Sequence, residues 1–406
     1  MKKVFIIGGG PAGMMAAIAA SNNNKDVTIF EKNNTLGKKL LITGKGRCNI
    51  TNDCEKEEFF DNIPGNGKFL YSSFSKFSNK DLIAFMNNNG LKTKTERGKR
   101  VFPISDKSSD VKEFFIKILN KNNVKIKLNT SVSEIISKNN VVEGIIANDE
   151  FLPCDSVILT TGGLSYPVTG STGDGYKIAE KLGHTIIKQR PALVPLITHE
   201  NVRSLMGLSL KNVKVTAYSG NKFIKDEFGE MLFTHFGLSG PVILTLSRYI
   251  LKYLEKDNVK IHIDLKPALP LEILDKRILR DFQKYINKDI KNALSDLLPQ
   301  TLIPYIITLS GIDKEKKIRD ITKKERLTLL YIIKNLTFHI KDLRPMQEAI
   351  VTAGGVSIKE IDPSTLESKI IKGLFFAGEI IDVDGLTGGF NLQIAFSTGY
   401  VAGTNS

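Results

Sequence analysis

Apolar residues gather near the start of the chain in short unbroken runs, Val4–Ile7 and Asp26–Phe30, separated by an Ala-rich stretch from Gly13 to Ser21. Short apolar runs bounded by turn signals predict buried strands, and the Ala-rich stretch predicts a helix. The chain therefore opens on a β-α-β unit of about thirty residues. Helical spacing returns over 79–90 and 109–121, and further strands are predicted at Val124–Leu128, Val141–Ile146 and Ser156–Thr161, the last running into Gly162-Gly163.

The pattern changes near Pro191. Residues 193–265 hold short alternating segments such as Val213–Tyr218 and Val259–Asp264, which predict a β-rich module. Residues 271–335 carry helical spacing. A buried strand, Gly373–Ala377, and a helix from about Leu392 to Ala402 close the chain. The expected organisation is an α/β nucleotide-binding domain in two parts, 1–190 and 344–406, interrupted by a β-rich insert, 191–268, and a helical one, 269–343.

Lys2 and Lys3 before an uncharged run to Ser21 imitate a secretory leader. Gly8-Gly9-Gly10-Pro11 would break such a leader's helix, so strand, turn and helix is the better reading. The chain is 41% hydrophobic and 25% charged, the balance of a globular protein and not of a disordered one. No run approaches the ~20 apolar residues of a membrane span. The three cysteines, Cys48, Cys54 and Cys154, are too few for a disulfide framework and lack zinc-ligand spacing. The five histidines, His184, His199, His235, His262 and His339, are scattered. No metal and a cytoplasmic, reducing location are expected.

Lys and Arg number 57 against 43 Asp and Glu, a net charge of +14. Residues 190–344 carry 27 basic and 17 acidic residues, while 345–406 carry 3 and 7. Basic clusters fall at Lys92, Lys94, Arg97, Lys99 and Arg100, at Lys276, Arg277 and Arg280, and from Lys314 to Lys324. Such clusters mark either a solvated surface or a footprint for phosphate backbones.

Gly8-x-Gly10-Pro11-Ala12-Gly13 follows the first strand and opens the first helix, the dinucleotide-binding pattern in its proper context. The first glycine permits the turn, the second lets the backbone approach a pyrophosphate, and the third allows close helix packing. Glu31, at the end of the second strand, is placed to accept from ribose hydroxyls, with Lys32 beside it. NAD and FAD share this pattern. A second glycine-rich segment from Gly378 to Gln393, including Glu379, Asp382, Gly389, Phe390, Asn391 and Leu392, again joins a strand to a helix. Its helix N-terminus faces developing negative charge, as the N1 and O2 region of a reduced flavin carries. A ligand reaching from residue 10 to residue 390 fits FAD better than NAD. A third such stretch, Gly37-Lys38-Lys39 through Thr43, Gly44, Gly46, Arg47, Cys48 and Asn49, is expected beside the ribityl chain and ring.

Four segments besides the opening fingerprint, Gly44–Asn52, Gly162–Pro167 with Gly170–Gly175, Thr234–Pro241 and Gly378–Gln393, together resemble the bacterial YhiN/BaiN-type flavoproteins, NAD(P)/FAD-dependent oxidoreductases of the aminoacetone-oxidase-like kind. The resemblance covers essentially the whole chain. Some members carry Gly where this chain has Lys45. The resemblance implies a Rossmann-like FAD domain of two-dinucleotide-binding type, interrupted by an insert with a β-barrel part and a helical part. It implies bound FAD and adds Val132, Gly162 and Gly163 to the expected cofactor contacts. NAD(P)H would bind transiently over the flavin, or another protein would supply electrons. For substrates it implies either a uridine of large-subunit ribosomal RNA, reduced to dihydrouridine, or a small molecule such as a bile acid. A non-catalytic FAD-holding RNA-binding protein is the third reading. In the uridine reading Cys48 is the expected proton donor, with Arg47 lowering its pKa; the alternative is that Cys48 only packs. Tyr166 or Phe390 is expected to stack on the base.

Overall fold

The computed structural model describes residues 1–255 and 258–406. These divide into two units, Met1–Pro191 with Met346–Ser406, and Ala192–Pro345.

The first unit is built on a five-stranded sheet in the order Leu374–Phe376, Ser156–Leu159, Lys3–Ile7, Asp26–Phe30, Lys125–Lys127. All its pairings are parallel, and Val4, for example, lies between Val27 and Ser156. A parallel sheet is covered on both faces, which is why these strands are continuous apolar runs. The helix Pro11–Ser21 is buried from Ala12 to Ala20. One neighbour is the C-terminal helix, Phe390–Asn405. A Cβ at Gly399 or Gly403 would stand 2.3 or 2.2 Å from the carbonyl oxygen of Ala12 or Ala16. Glycines four residues apart thus let the two ends of the chain pack backbone to backbone.

A three-stranded antiparallel sheet, Thr51–Asn52, Arg100–Pro103 and Thr93–Glu96, stands apart from the main sheet and is not expected from the sequence pattern. Its strands are only two to four residues long; Thr93–Glu96 is polar and half-exposed, while Val101, Phe102 and Pro103 are buried in a run too short to show a period.

The second unit contains a closed barrel of six strands in the order Leu196–Thr198, Gly237–Ser239, Lys222–Phe233, Ser209–Ser219, Val259–Asp264, Leu336–Leu343. Leu336–Leu343 falls within the segment read as helical, yet it alternates and pairs with both Val259–Asp264 and Leu196–Thr198. Conversely, Pro241–Ile250 is a helix inside the segment read as β-rich. The helices Leu271–Lys284, Ile290–Ala293, Ile303–Ser310 and Lys323–Lys334 also belong to this unit. Among the described residues no helix is long and apolar enough to cross a membrane.

Candidate functional site

The first strand ends at Gly8, whose φ of +106° is open to glycine and strained for other residues. A Cβ there would lie 2.6 Å from the Thr160 carbonyl oxygen, and one on Gly13 would lie 2.0 Å from the Gly8 carbonyl oxygen. Gly13 therefore packs the helix onto the turn. A Cβ on Gly10, by contrast, would meet nothing within 4 Å. Pro11 takes the first helical position, where a missing N–H costs no bond. Glu31 closes the turn from below. Its Oε2 accepts from Gly9 N at 2.7 Å, and its Oε1 accepts from Asn33 N and Nδ2, each at 2.8 Å.

A cleft of about 1430 Å³, open mouth included, runs from this turn to the C-terminal helix. Fifteen of the expected residues line it: Gly8, Gly10, Pro11, Ala12, Glu31, Lys32, Lys38, Lys39, Thr43, Val132, Gly162, Gly378, Glu379, Asn391 and Leu392. On its wall Lys39 Nζ donates to Glu379 Oε2 at 2.6 Å and to Ser165 Oγ at 2.6 Å. Glu379 Oε1 accepts from Ser165 Oγ and from Thr352 N, both at 2.9 Å. Burial pushes the Glu379 carboxyl upward, but the Lys39 charge and these hydrogen bonds outweigh it and hold the group below its ordinary value. Lys32 forms a second wall pair with Asp174.

The loop from Leu40 to Asn49 differs from expectation. Gly44, Lys45 and Gly46, with φ of +57°, +58° and +84°, make a turn of left-handed backbone, and Cys48 follows at +60°. This reversal turns Cys48 inward. Its side chain is 0% exposed, sits in the hydrophobic core, and is absent from the cleft wall. Burial pushes the thiol up to about 12, with only a hydrogen bond to Thr43 opposing it. Arg47 does not lower it. The guanidinium instead donates to Glu96 and Asp106, at 2.5 and 2.9 Å, and lies over the Phe102 ring at 4.2 Å. Gly44, Gly46, Arg47 and Asn49 likewise stand off the cleft wall.

Other expected contacts act as supports. Gly163 packs on Thr352, where a Cβ would lie 2.4 Å from Oγ1, and Gly389 packs on the Thr51 backbone at 2.4 Å. Phe390 is 4% exposed beside Phe59, so it is not an open stacking platform. Gln393 is fully buried; its Oε1 accepts from Thr51 Oγ1 and its Nε2 donates to Ser397 Oγ. Asp382 accepts from Asn66 through its backbone and side-chain oxygens. Tyr166, in left-handed backbone at φ +52°, lies beneath Lys39 and off the wall.

The sequence pattern did not point to Asn33, Thr130, Ser131, Thr161, Thr169, Ser171 and Asp174 on the wall. Thr169 to Asp174 sit in or beside the Gly170–Gly175 motif, which was a usable signal. Ile350 and Val351 carried none. The wall fits an FAD on two observations. The space over Gly10 is open to an approaching phosphate, and Thr161 Oγ1 is buried with no partner among the described residues.

A parallel sheet, a glycine fingerprint and a long cleft ending at a second helix N-terminus define a Rossmann-type FAD-dependent oxidoreductase. The family model described as "HI0933-like protein Rossmann domain" matches residues 2–405, and the chain belongs to that family. A "3-dehydro-bile acid delta(4,6)-reductase" of Clostridium scindens is 33% identical over 99% of this chain and 98% of its own length. A "Ribosomal RNA dihydrouridine synthase" of Haemophilus influenzae is 32% identical over 97% of this chain and 96% of its own. Among solved structures, a 3-ketosteroid-delta4-(5alpha)-dehydrogenase of Rhodococcus jostii shares the fold, with a TM-score of 0.52 at 13% identity. That match covers 100% of this chain and 96% of the dehydrogenase.

Proposed function

We propose that this protein reduces a carbon–carbon double bond conjugated to a carbonyl, and that its substrate is a uridine in ribosomal RNA. The two relatives named above share that chemistry, since uracil C5=C6 is conjugated to the C4 carbonyl and a Δ4 bond to a 3-keto group. When bound, FAD supplies a hydride from its reduced ring. Reduction of uridine would add that hydride at C6 and a solvent-derived proton at C5, giving dihydrouridine.

The chain's own groups bind and orient. The N-terminus of Pro11–Ser21, over the open face of Gly10, holds the pyrophosphate. Glu31, Lys32 and Val132 flank the adenosine end, and Lys39, Thr43, Asn391 and Leu392 the flavin end. Glu379 and Ser165 fix the Lys39 ammonium in place on the wall, where its remaining N–H can donate to a bound group. Cys48 is buried behind the wall residue Thr43 and is not itself on the wall, so we assign it no proton transfer.

The observation that carries the RNA reading is charge, 27 basic against 17 acidic residues over 190–344, since a phosphate backbone rewards such an excess and a steroid does not. The test is mass spectrometry of ribosomal RNA from cells with and without the gene. A two-dalton loss on one uridine in the deletion supports the reading, and identical RNA overturns it. The second reading, a small enone, rests on the bile-acid relative. It gains if a 3-keto-4,6-diene steroid reoxidises the reduced flavin and RNA does not.

A further inference from the structure

The small sheet at Thr51–Asn52, Thr93–Glu96 and Arg100–Pro103 has no part in the cleft wall, yet it is fastened to it at two points. Asn52 Nδ2 donates to the carbonyl oxygen of Gly98, in the hairpin turn, and to that of Gly388, each at 3.0 Å. Gly388 lies in the glycine turn just ahead of the wall residues Asn391 and Leu392. At the second point Arg47, four residues after the wall residue Thr43, stacks on Phe102 and pairs with Glu96 and Asp106.

The carboxylates within this network are taken. Asp106 serves Arg47 and Lys94, Glu96 serves Arg47, and Glu58 serves Lys99. Lys45, Lys92, Arg97 and Arg100 are exposed and have no carboxylate partner among the described residues. Arg100 is oriented by the hairpin itself, its Nε donating to the Arg97 carbonyl oxygen at 3.1 Å. Lys45 stands in left-handed backbone where glycine would be unstrained. Four unmatched cations on rigidly tied loops present a surface complementary to a run of phosphates.

We infer that this hairpin and the Lys45 turn form the phosphate-backbone grip that holds a single-stranded RNA segment beside the flavin end of the cleft. The inference deepens the RNA reading of the function and rests on it. Arg97 and Arg100 carry two phosphate contacts, and the exposed Lys45 and Lys92 add positive charge to the same face of the chain's first unit.

Holoenzyme is titrated with a labelled 20-nucleotide oligouridylate between 50 and 300 mM sodium chloride. R97A/R100A is expected to bind at least tenfold more weakly at the lowest salt. Its plot of log affinity against log salt should be shallower by about 1.4, from about 0.7 per single-strand phosphate contact. R97K/R100K should restore the slope, and flavin absorbance should be unchanged in both. If R97A binds with the wild-type slope and R97A/R100A does too, the grip is overturned while the RNA reading stands. The grip is equally overturned if RNA binding is untouched but flavin reduction needs more NADPH, which assigns the cations to a dinucleotide's phosphates. Wild-type protein that ignores RNA at every salt, with ribosomal RNA unchanged by gene deletion, overturns both.

Discussion

Lys39 and Glu379, 340 positions apart in sequence, meet at 2.6 Å on the wall of the cleft. Their side chains are 23% and 18% exposed, so the pair is neither a solvated surface contact nor fully sealed. Lys39→Met leaves Glu379 with only Ser165 and the Thr352 amide as partners. It is expected to cost about 2–3 kcal/mol in urea unfolding of the apoprotein, less than the ~3–5 kcal/mol of a fully buried pair because both side chains keep some exposure. The pH dependence has a definite sign. The fold lowers the Glu379 pKa, so its contribution is complete above the ordinary value of 4.5 and is lost as pH falls through the lower folded value. Glu379→Gln should flatten that acid limb.

Gly10 and Gly13 separate a ligand role from a packing role. Gly10→Ala meets no protein atom within 4 Å and should leave apoprotein stability within about 1 kcal/mol. FAD affinity should nonetheless fall at least tenfold, because the methyl occupies the phosphate approach. Gly13→Ala brings a Cβ to 2.0 Å from the Gly8 carbonyl oxygen and should abolish soluble folded protein. Retention of yellow colour on purification reads out the first, and circular dichroism the second.

Cys48, Cys54 and Cys154 are buried, and desolvation pushes their thiols up to about 12, 11 and 12. A thiol-reactive dye should label none of them in native protein over minutes and all three in denaturant. Cys48→Ala should keep turnover within about twofold while costing about 1–2 kcal/mol of stability for the lost core atom. A hundredfold fall in turnover with FAD retained would restore Cys48 as the acid.

Lys45 in left-handed backbone carries a conformational cost that glycine avoids. Lys45→Gly should therefore stabilise the fold by about 0.5–1 kcal/mol, the left-handed gain partly offset by the freer unfolded chain. The readout is a thermal midpoint higher by about 1–4 °C.

His184 is fully enclosed. Its Nε2 lies 3.0 Å from Ser368 Oγ, an oxygen that also accepts from the amides of Ile370 and Ile371. The Ser368 hydroxyl therefore donates to Nε2, and the imidazole is held neutral. Burial lowers its pKa more than Glu360 raises it. The unfolded chain takes up this proton more readily, so stability should decline as pH falls below 6.5, by at most about 1.4 kcal/mol per unit. His184→Asn should weaken the dependence.

The central sheet was readable because parallel strands buried on both faces leave continuous apolar runs such as Val4–Ile7 and Ser156–Leu159. The fingerprint was readable because Gly8, Gly10 and Gly13 each meet a different steric demand at a fixed spacing. Of the two readings of Cys48, burial favours packing over proton donation, for a local reason. Its neighbours in sequence are loop residues near the cleft, but three left-handed residues before it swing the side chain into the core, and composition does not encode that reversal. The hairpin at Thr93–Pro103 is hard to read because Thr93–Glu96 is polar throughout and the buried run Val101–Pro103 is too short to establish a period. Leu336–Leu343 alternates clearly, yet it directly follows the helix Lys323–Lys334, whose spacing masked the change.

The barrel of the second unit is closed, each of its six strands bonded on both sides. Closure there is local: among the described residues only Leu232 and Phe233 of Lys222–Phe233 pair with Gly237–Ser239, and the rest of that strand is laddered to Ser209–Ser219 alone. That one-sided length carries Lys222, Lys225, Asp226, Glu227 and Glu230, so charge rather than closure is what discourages neighbouring molecules from zipping onto it.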